Sequence, residues 1–200
     1  IKGVKASLDI KKIFKIALYV SPSGFFVYAD NIFIKRIFDE YTAGLFASAS
    51  IVGKILVWFI LTLLGVYFPK FVKYKMKPHF TKFVIQMIGL AILTEIIGQI
   101  IVVIVGKQLF LLLFGNKFEP AFKFLPLYLF ALFPLLLNMI FFSIATALEK
   151  GILLIGFHLF VFYIGFILIK FFDIMGYLQY IFTINAIFLV FYFFFFKKGY

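Results

Sequence analysis

Six runs of apolar residues, each long enough to cross a bilayer as a helix, follow one another along this chain with only short charged connections between them. A hydrocarbon core about 30 Å thick takes roughly 20 helical residues at about 1.5 Å each. The runs lie at 13–38, 43–68, 83–105, 122–148, 152–169 and 174–196. Composition closes the soluble alternative: 65% of the 200 residues are hydrophobic and only 14% charged, too few polar side chains to clothe a water-facing surface. A membrane β-barrel would need segments of about ten residues alternating apolar and polar, and these runs are apolar on every side. The expectation is an all-α integral membrane protein, a six-transmembrane-helix bundle.

The basic residues then orient the bundle. Lysines 2, 5, 11, 12 and 15 precede the first run, lysines 70, 73, 75, 77 and 82 fill the second connection, Lys150 lies in the fourth, and Lys197 and Lys198 follow the last. Those thirteen share one side, against six for the other: Lys35, Arg36, Lys107, Lys117, Lys123 and Lys170. The positive-inside rule makes the first side cytoplasmic, with both ends of the segment on it, in a multi-pass protein of the cell membrane. Although the net charge is +12, its spread over loops argues against nucleic acid and for anionic lipid headgroups. The stretch from Pro69 to Lys77 mixes basic and apolar residues, and reads either as an interfacial segment on the cytoplasmic leaflet or as a solvated loop. The chain opens at Ile1 in a basic amphipathic stretch, without an initiator Met or a signal-peptide pattern, as a fragment of a longer protein would.

Cysteine is absent and only two histidines occur, so no metal centre or thiol chemistry is expected. Gly-rich phosphate loops and Ser/His/Asp constellations are missing too, and no enzyme activity or cofactor is expected. The Phe-rich end of the last run, Phe191 to Phe196, reads as an interfacial aromatic belt.

Polar residues inside hydrocarbon are costly and must face protein or water, so they are the functional pointers. They are Asp30 and Asn31 in the first run, Lys54 in the second, Gln86, Glu95 and Gln99 in the third, Asn138, His158 and Asn185 in the fourth, fifth and sixth. Measured from the outer connection, Asp30 lies about 15 Å deep and Lys54 about 20 Å, a difference that a lysine stem can span. Two readings stay open: Asp30, Lys54 and Glu95 line a hydrated cavity, with Asn31 and Asn185 as further candidates, or the charges neutralise one another inside the bundle and orient helices. His158 stands on a bulky face and reads as a residue hydrogen-bonded to a neighbouring helix. Ala43, Gly44, Ala47, Ser48, Ala49, Ser50 and Gly53 give the second run a small face for close helix approach. Hinges are expected at Pro22 with Gly24 in the first run, and at Pro126 and Pro134 in the fourth.

Particular residues add a family likeness. The run Ala29-Asp30-Asn31-Ile32-Phe33-Ile34-Lys35-Arg36-Ile37-Phe38, then Ala43 to Lys54 and Phe68-Pro69-Lys70, resembles the seventh and eighth spans of polysaccharide flippases. These belong to the multidrug/oligosaccharidyl-lipid/polysaccharide exporter superfamily. Leu113-Phe114-Gly115-Asn116-Lys117-Phe118 with Ala121 and Leu125 is similar to the connection before the tenth span, and the Leu148-Glu149-Lys150-Gly151 hairpin follows it. The resemblance implies the C-terminal six-span lobe of a two-lobed transporter, with an N-terminal six-span lobe as partner and a lipid-linked oligosaccharide or polysaccharide precursor as substrate, moved by alternating access. A cation-coupled exporter of organic cations in the same superfamily, with Asp30 and Glu95 as coupling acids, is the alternative. A membrane glycan ligase or polymerase needs a larger outer loop than Gly106 to Ala121, which holds only lysines and Glu119 as charged residues.

Overall fold

The computed structural model describes Ile10, Gly24 and residues 27–75, 77–169 and 173–197, all-helical with no strand among them. The first helix, α1, is described over 27–37. Pro22, one of the expected hinges, lies outside the described residues, and Gly24 is an exposed helical residue with open space around its Cα.

Helix α2 spans Glu40–Tyr74. Asp39 caps it, its carboxylate accepting from the backbone N–H of Tyr41 at 3.0 Å and of Thr42 at 3.1 Å. Hydrogen bonding to Thr42, side chain first and backbone second, holds the Asp39 carboxyl below its ordinary value of 3.8. A carboxyl lowered on folding stabilises above its unfolded value and stops doing so as pH falls through the lower, folded one. The protection factors of the Tyr41 and Thr42 amides are therefore expected to fall as pH drops below 3.8, and Asp39→Ala is expected to remove that pH dependence.

The far end of α2 departs from the expected loop. The helix runs through Pro69 and continues to Tyr74, so the lysines at 70 and 73 sit on helical turns. Thirty-five residues make it about 52 Å long, well beyond the hydrocarbon thickness. A short turn leads into α3, His79–Ile101, which passes through a π-helical turn, Val102–Gly106, into α4, Lys107–Phe114. Gly115 then stops the helix at φ +77°, a left-handed conformation open to glycine at no steric cost. The expected outer loop is thus mostly helical, finishing in a 3₁₀ segment, Asn116–Phe124, in which Glu119 pairs with Lys107 at 2.7 Å.

Helix α5, Leu125–Leu148, is the centre of the molecule. The apolar part of Asn116–Leu148 is 72% buried, against 22% to 28% for α2, α3–α4 and the last helix, so among these four described stretches it is the one wrapped by protein. Pro126 lies in its first turn, where no hydrogen bond is lost, and marks a start where a hinge was expected; Pro134 is inside the helix and buried. The hairpin after α5 turns on Glu149 at φ 56° and Gly151 at φ 85°. Helix α6, Ile152–Leu168, and α7, Ile174–Lys197, complete the bundle. Helices α2, α3 and α7 pack on α5, and α6 packs on α5 and α7. Helix α1 reaches α6 through Phe33, which stacks on Phe166 at 4.4 Å. Four helical stretches, Glu40–Tyr74, His79–Phe114, Asn116–Leu148 and Ile174–Phe196, are long and apolar enough to cross a membrane, and Ile152–Leu168 is a shorter apolar helix.

Candidate functional site

Three helices deliver polar groups to one buried point. Asp30 on α1 and Lys54 on α2 are each 4% exposed, and Lys54 Nζ lies 2.7 Å from Asp30 Oδ1. The same oxygen accepts the Asn31 backbone N–H at 2.7 Å. The Tyr128 hydroxyl, from α5, donates to Oδ2. Ser50, one helical turn before Lys54, places its hydroxyl 3.3 Å from Oδ2 and 3.2 Å from the Tyr128 oxygen, so its single proton serves one of them. The carboxylate thereby meets an ammonium and neutral donors together, the condition under which a buried charge is tolerated.

The α2 sequence explains how the helices come so close. Ser50 and Gly53 face α5, and the Tyr128 ring lies where a side chain at position 53 would begin. Phe46 stands edge-on to both Tyr128 and Tyr177, at 5.4 and 5.6 Å between ring centroids. Tyr128 is fully buried, so its ring orientation is fixed by packing and its hydroxyl by Asp30. Tyr128→Phe is expected to cost about 1.5–3 kcal/mol, the range for a hydrogen bond to a charged group, in unfolding from bicelles. A cost near zero would mean that Asp30 does not need this donor.

Lysine 54 retains capacity. An ammonium has three protons, and its described contacts are Asp30 Oδ1 and the face of Tyr28, whose ring centroid is 5.9 Å away. Tyr28 is 59% exposed, so the lysine sits just behind a residue at the bundle surface.

The remaining candidates fall elsewhere. Glu95 on α3 is buried and accepts from Gln99 at 2.9 Å, while Gln99 also donates to the Pro126 carbonyl at 3.2 Å and so ties α3 to the start of α5. Its second oxygen has no hydrogen-bond partner among the described residues. Asn185 on α7 belongs to a third group: Asn138 donates to its backbone carbonyl at 2.9 Å, and its own amide donates to Ile181 O at 2.8 Å, a clamp between α5 and α7. Asn31 is half-buried beside Asp30, contributing its backbone N–H. His158 on α6 stacks on Phe188 at 4.0 Å and lies 3.3 Å from the Tyr192 hydroxyl, inside an aromatic cluster.

Sequence reasoning missed Tyr128, Ser50 and Tyr28. Tyrosine at a span end reads as a belt residue and serine in a small face as packing; only the contact between chain segments 78 and 98 residues apart reveals the polar role of Ser50 and Tyr128.

These features define the class: an all-α protein of the membrane-spanning type, with a buried ion pair on its helix interfaces. Comparison with protein-family models, with curated proteins and with solved structures found no match for this chain.

Proposed function

We propose that this chain is the C-terminal six-span lobe of a flippase that moves lipid-linked oligosaccharide or polysaccharide precursors across the cell membrane. The observation that carries the reading is the Lys54–Asp30 pair, 2.7 Å apart within the bundle and bordered by an exposed tyrosine ring. A cation buried in an apolar helical protein is costly even when paired, so its presence points to a function. For an amphiphile with a pyrophosphate headgroup, that function is to meet the anion while the acyl tail stays in lipid.

The geometry suits partner exchange. An anion reaching the Tyr28 side shares Lys54 with Asp30, which keeps its hydrogen bonds from Asn31 N–H, Tyr128 and Ser50 while the anion's own pairing with the ammonium offsets the weakened ion pair. Release of the anion returns Lys54 to Asp30 alone, so binding and release differ by one side-chain movement. Alternating access needs such a difference between loaded and empty states.

The test is translocation of a fluorescent lipid-pyrophosphate oligosaccharide between leaflets of liposomes carrying the full protein. Transport above that of protein-free vesicles is expected, with at least tenfold loss in the paired variant Asp30→Asn/Lys54→Gln, which keeps hydrogen bonding but removes both charges. Full transport in that variant would take the pair out of the mechanism. Absence of translocation together with efflux of a cationic dye would move the protein to the exporter branch.

A further inference from the structure

The ends of α2 and α3 on the side of the Lys70 to Lys82 turn carry lysines 70, 73, 75, 77 and 82, and the chain has no Asp or Glu between Glu40 and Glu95. We propose that this basic hairpin end is a binding site for anionic phospholipid headgroups of the leaflet it adjoins. The inference does not depend on what the protein transports.

The observation that sets it apart from a solvated loop is its construction. Lys70 Nζ lies 4.4 Å from the Tyr67 ring centroid and 5.5 Å from that of Phe83, bridging α2 and α3, and Lys73 stands 5.3 Å from the Tyr74 ring. Tyr74 in turn packs on Phe83 at 5.2 Å and on His79 at 5.9 Å. Beneath them Phe71 and Phe80, both buried, meet at 5.8 Å and pin the two helix ends together. The lysines at 73, 75, 77 and 82 are exposed on this aromatic base. Lys70, Lys73 and Lys82 are therefore held on helical turns, with Lys75 and Lys77 between them, beside aromatic rings of the kind that favour a membrane interface.

Charge alone would admit any polyanion, but the neighbouring surface selects an amphiphile. Val66, Val72 and Ile85 are 57%, 42% and 63% exposed within a few residues of the lysines. Val66 and Ile85 lie at the ends of the apolar runs 43–68 and 83–105, so the lysines adjoin the hydrocarbon boundary, the level at which phospholipid phosphates sit and acyl chains begin. No acidic side chain of the α2–α3 hairpin competes for the lysines near the turn, since Glu95 lies beyond the middle of α3.

Electron paramagnetic resonance of spin-labelled phosphatidylglycerol and phosphatidylcholine, with the full protein in phosphatidylcholine liposomes, measures the preference. Wild type is expected to favour phosphatidylglycerol at least about fivefold at low salt, the effect of one lysine at a membrane surface, and to lose most of that in 0.5 M NaCl. Lys70→Gln/Lys73→Gln/Lys77→Gln/Lys82→Gln is expected to lower the ratio at least about twofold with helical circular dichroism unchanged. Lys107→Gln/Lys117→Gln/Lys123→Gln, on the opposite end, should leave it as in wild type. Should the fourfold variant misfold, Lys77→Gln and Lys82→Gln singly, both at exposed positions, are each expected to lower the preference. Equal association of the two lipids with wild type, or an unchanged ratio in the lysine variants of this end, would overturn the proposal. So would capture of a soluble oligonucleotide by this face without any lipid preference.

Discussion

Lys54→Met is expected to cost about 3–5 kcal/mol of stability, because it leaves the Asp30 carboxylate buried without its cation. Methionine keeps the length and packing of the lysine stem, so the loss reports charge. Asp30 is 4% exposed, and Tyr128, Ser50 and the Asn31 N–H would be its remaining donors. Neutral donors stabilise a carboxylate but supply no opposite charge. Removing both partners has a different sign: Asp30→Leu/Lys54→Met is expected to recover most of the loss, since an apolar pair of similar volume needs no desolvation. Equilibrium unfolding in bicelles of the wild type, the single variant and the double variant makes the comparison. A single variant within about 1 kcal/mol of wild type, the value of an exposed ion pair, would show that water reaches the pair.

The second large effect belongs to a residue with no side chain. Gly53→Ala is expected to cost about 1–3 kcal/mol, the usual penalty for forcing a methyl group into a packed site. The added carbon would lie 2.4 Å from Tyr128 Cδ1 and 2.7 Å from its Cε1, far inside van der Waals contact. Tyr128 has nowhere to retreat: it is edge-on to Phe46 and hydrogen-bonded to Asp30. The substitution should therefore disturb the ion pair as well as the packing, and Gly53→Ala with Tyr128→Phe should be less than additive. Gly65→Ala provides the control on the same helix. A Cβ there meets nothing within 4 Å, so it is expected to be neutral or to stabilise by up to about 1 kcal/mol through helix propensity. Equal effects at both positions would mean that the α2–α5 approach is looser than described.

Each of the later five apolar runs overlaps helical structure and α1 lies within the first, while four helical stretches among the described residues are long and apolar enough to cross a membrane. Hydropathy misplaced the helix ends for a physical reason. Apolar composition marks where hydrocarbon stops, whereas a helix stops where backbone geometry makes it, as at Gly115 and Glu149. Lys70 and Lys73 do not break a helix, so α2 continued past the apolar run. The π turn in Val102–Gly106 was invisible because nothing in that apolar string demands a wider turn.

The candidate site was half legible. Matching depths in adjacent runs pointed to Asp30 and Lys54 as a possible pair, because two charges in hydrocarbon have few other solutions. Glu95 was grouped with them on polarity alone, and it instead accepts a hydrogen bond from Gln99 of its own helix, where Gln99 also reaches the Pro126 carbonyl at the start of α5. Separating these groups requires knowing helix rotation, and a helix that is apolar all round carries no moment from which to read it. Tyr128 shows the same limit: its depth is readable but the direction it faces is not.

The π turn also says where this chain can change length. The buried stripe of α3 and α4 passes through Met87, Ala91, Glu95, Gly98, Val102, Gly106 and Phe110, keeping one face on both sides of the wider turn. Such a turn absorbs one surplus residue without rotating what precedes it. Losing one residue between Val102 and Gly106 would close the turn into plain α-helix and leave the stripe aligned, whereas losing one near Ala91 would swing Phe80 and Met87 by about 100° out of the bundle. Insertions and deletions in relatives of this chain should therefore gather at that turn.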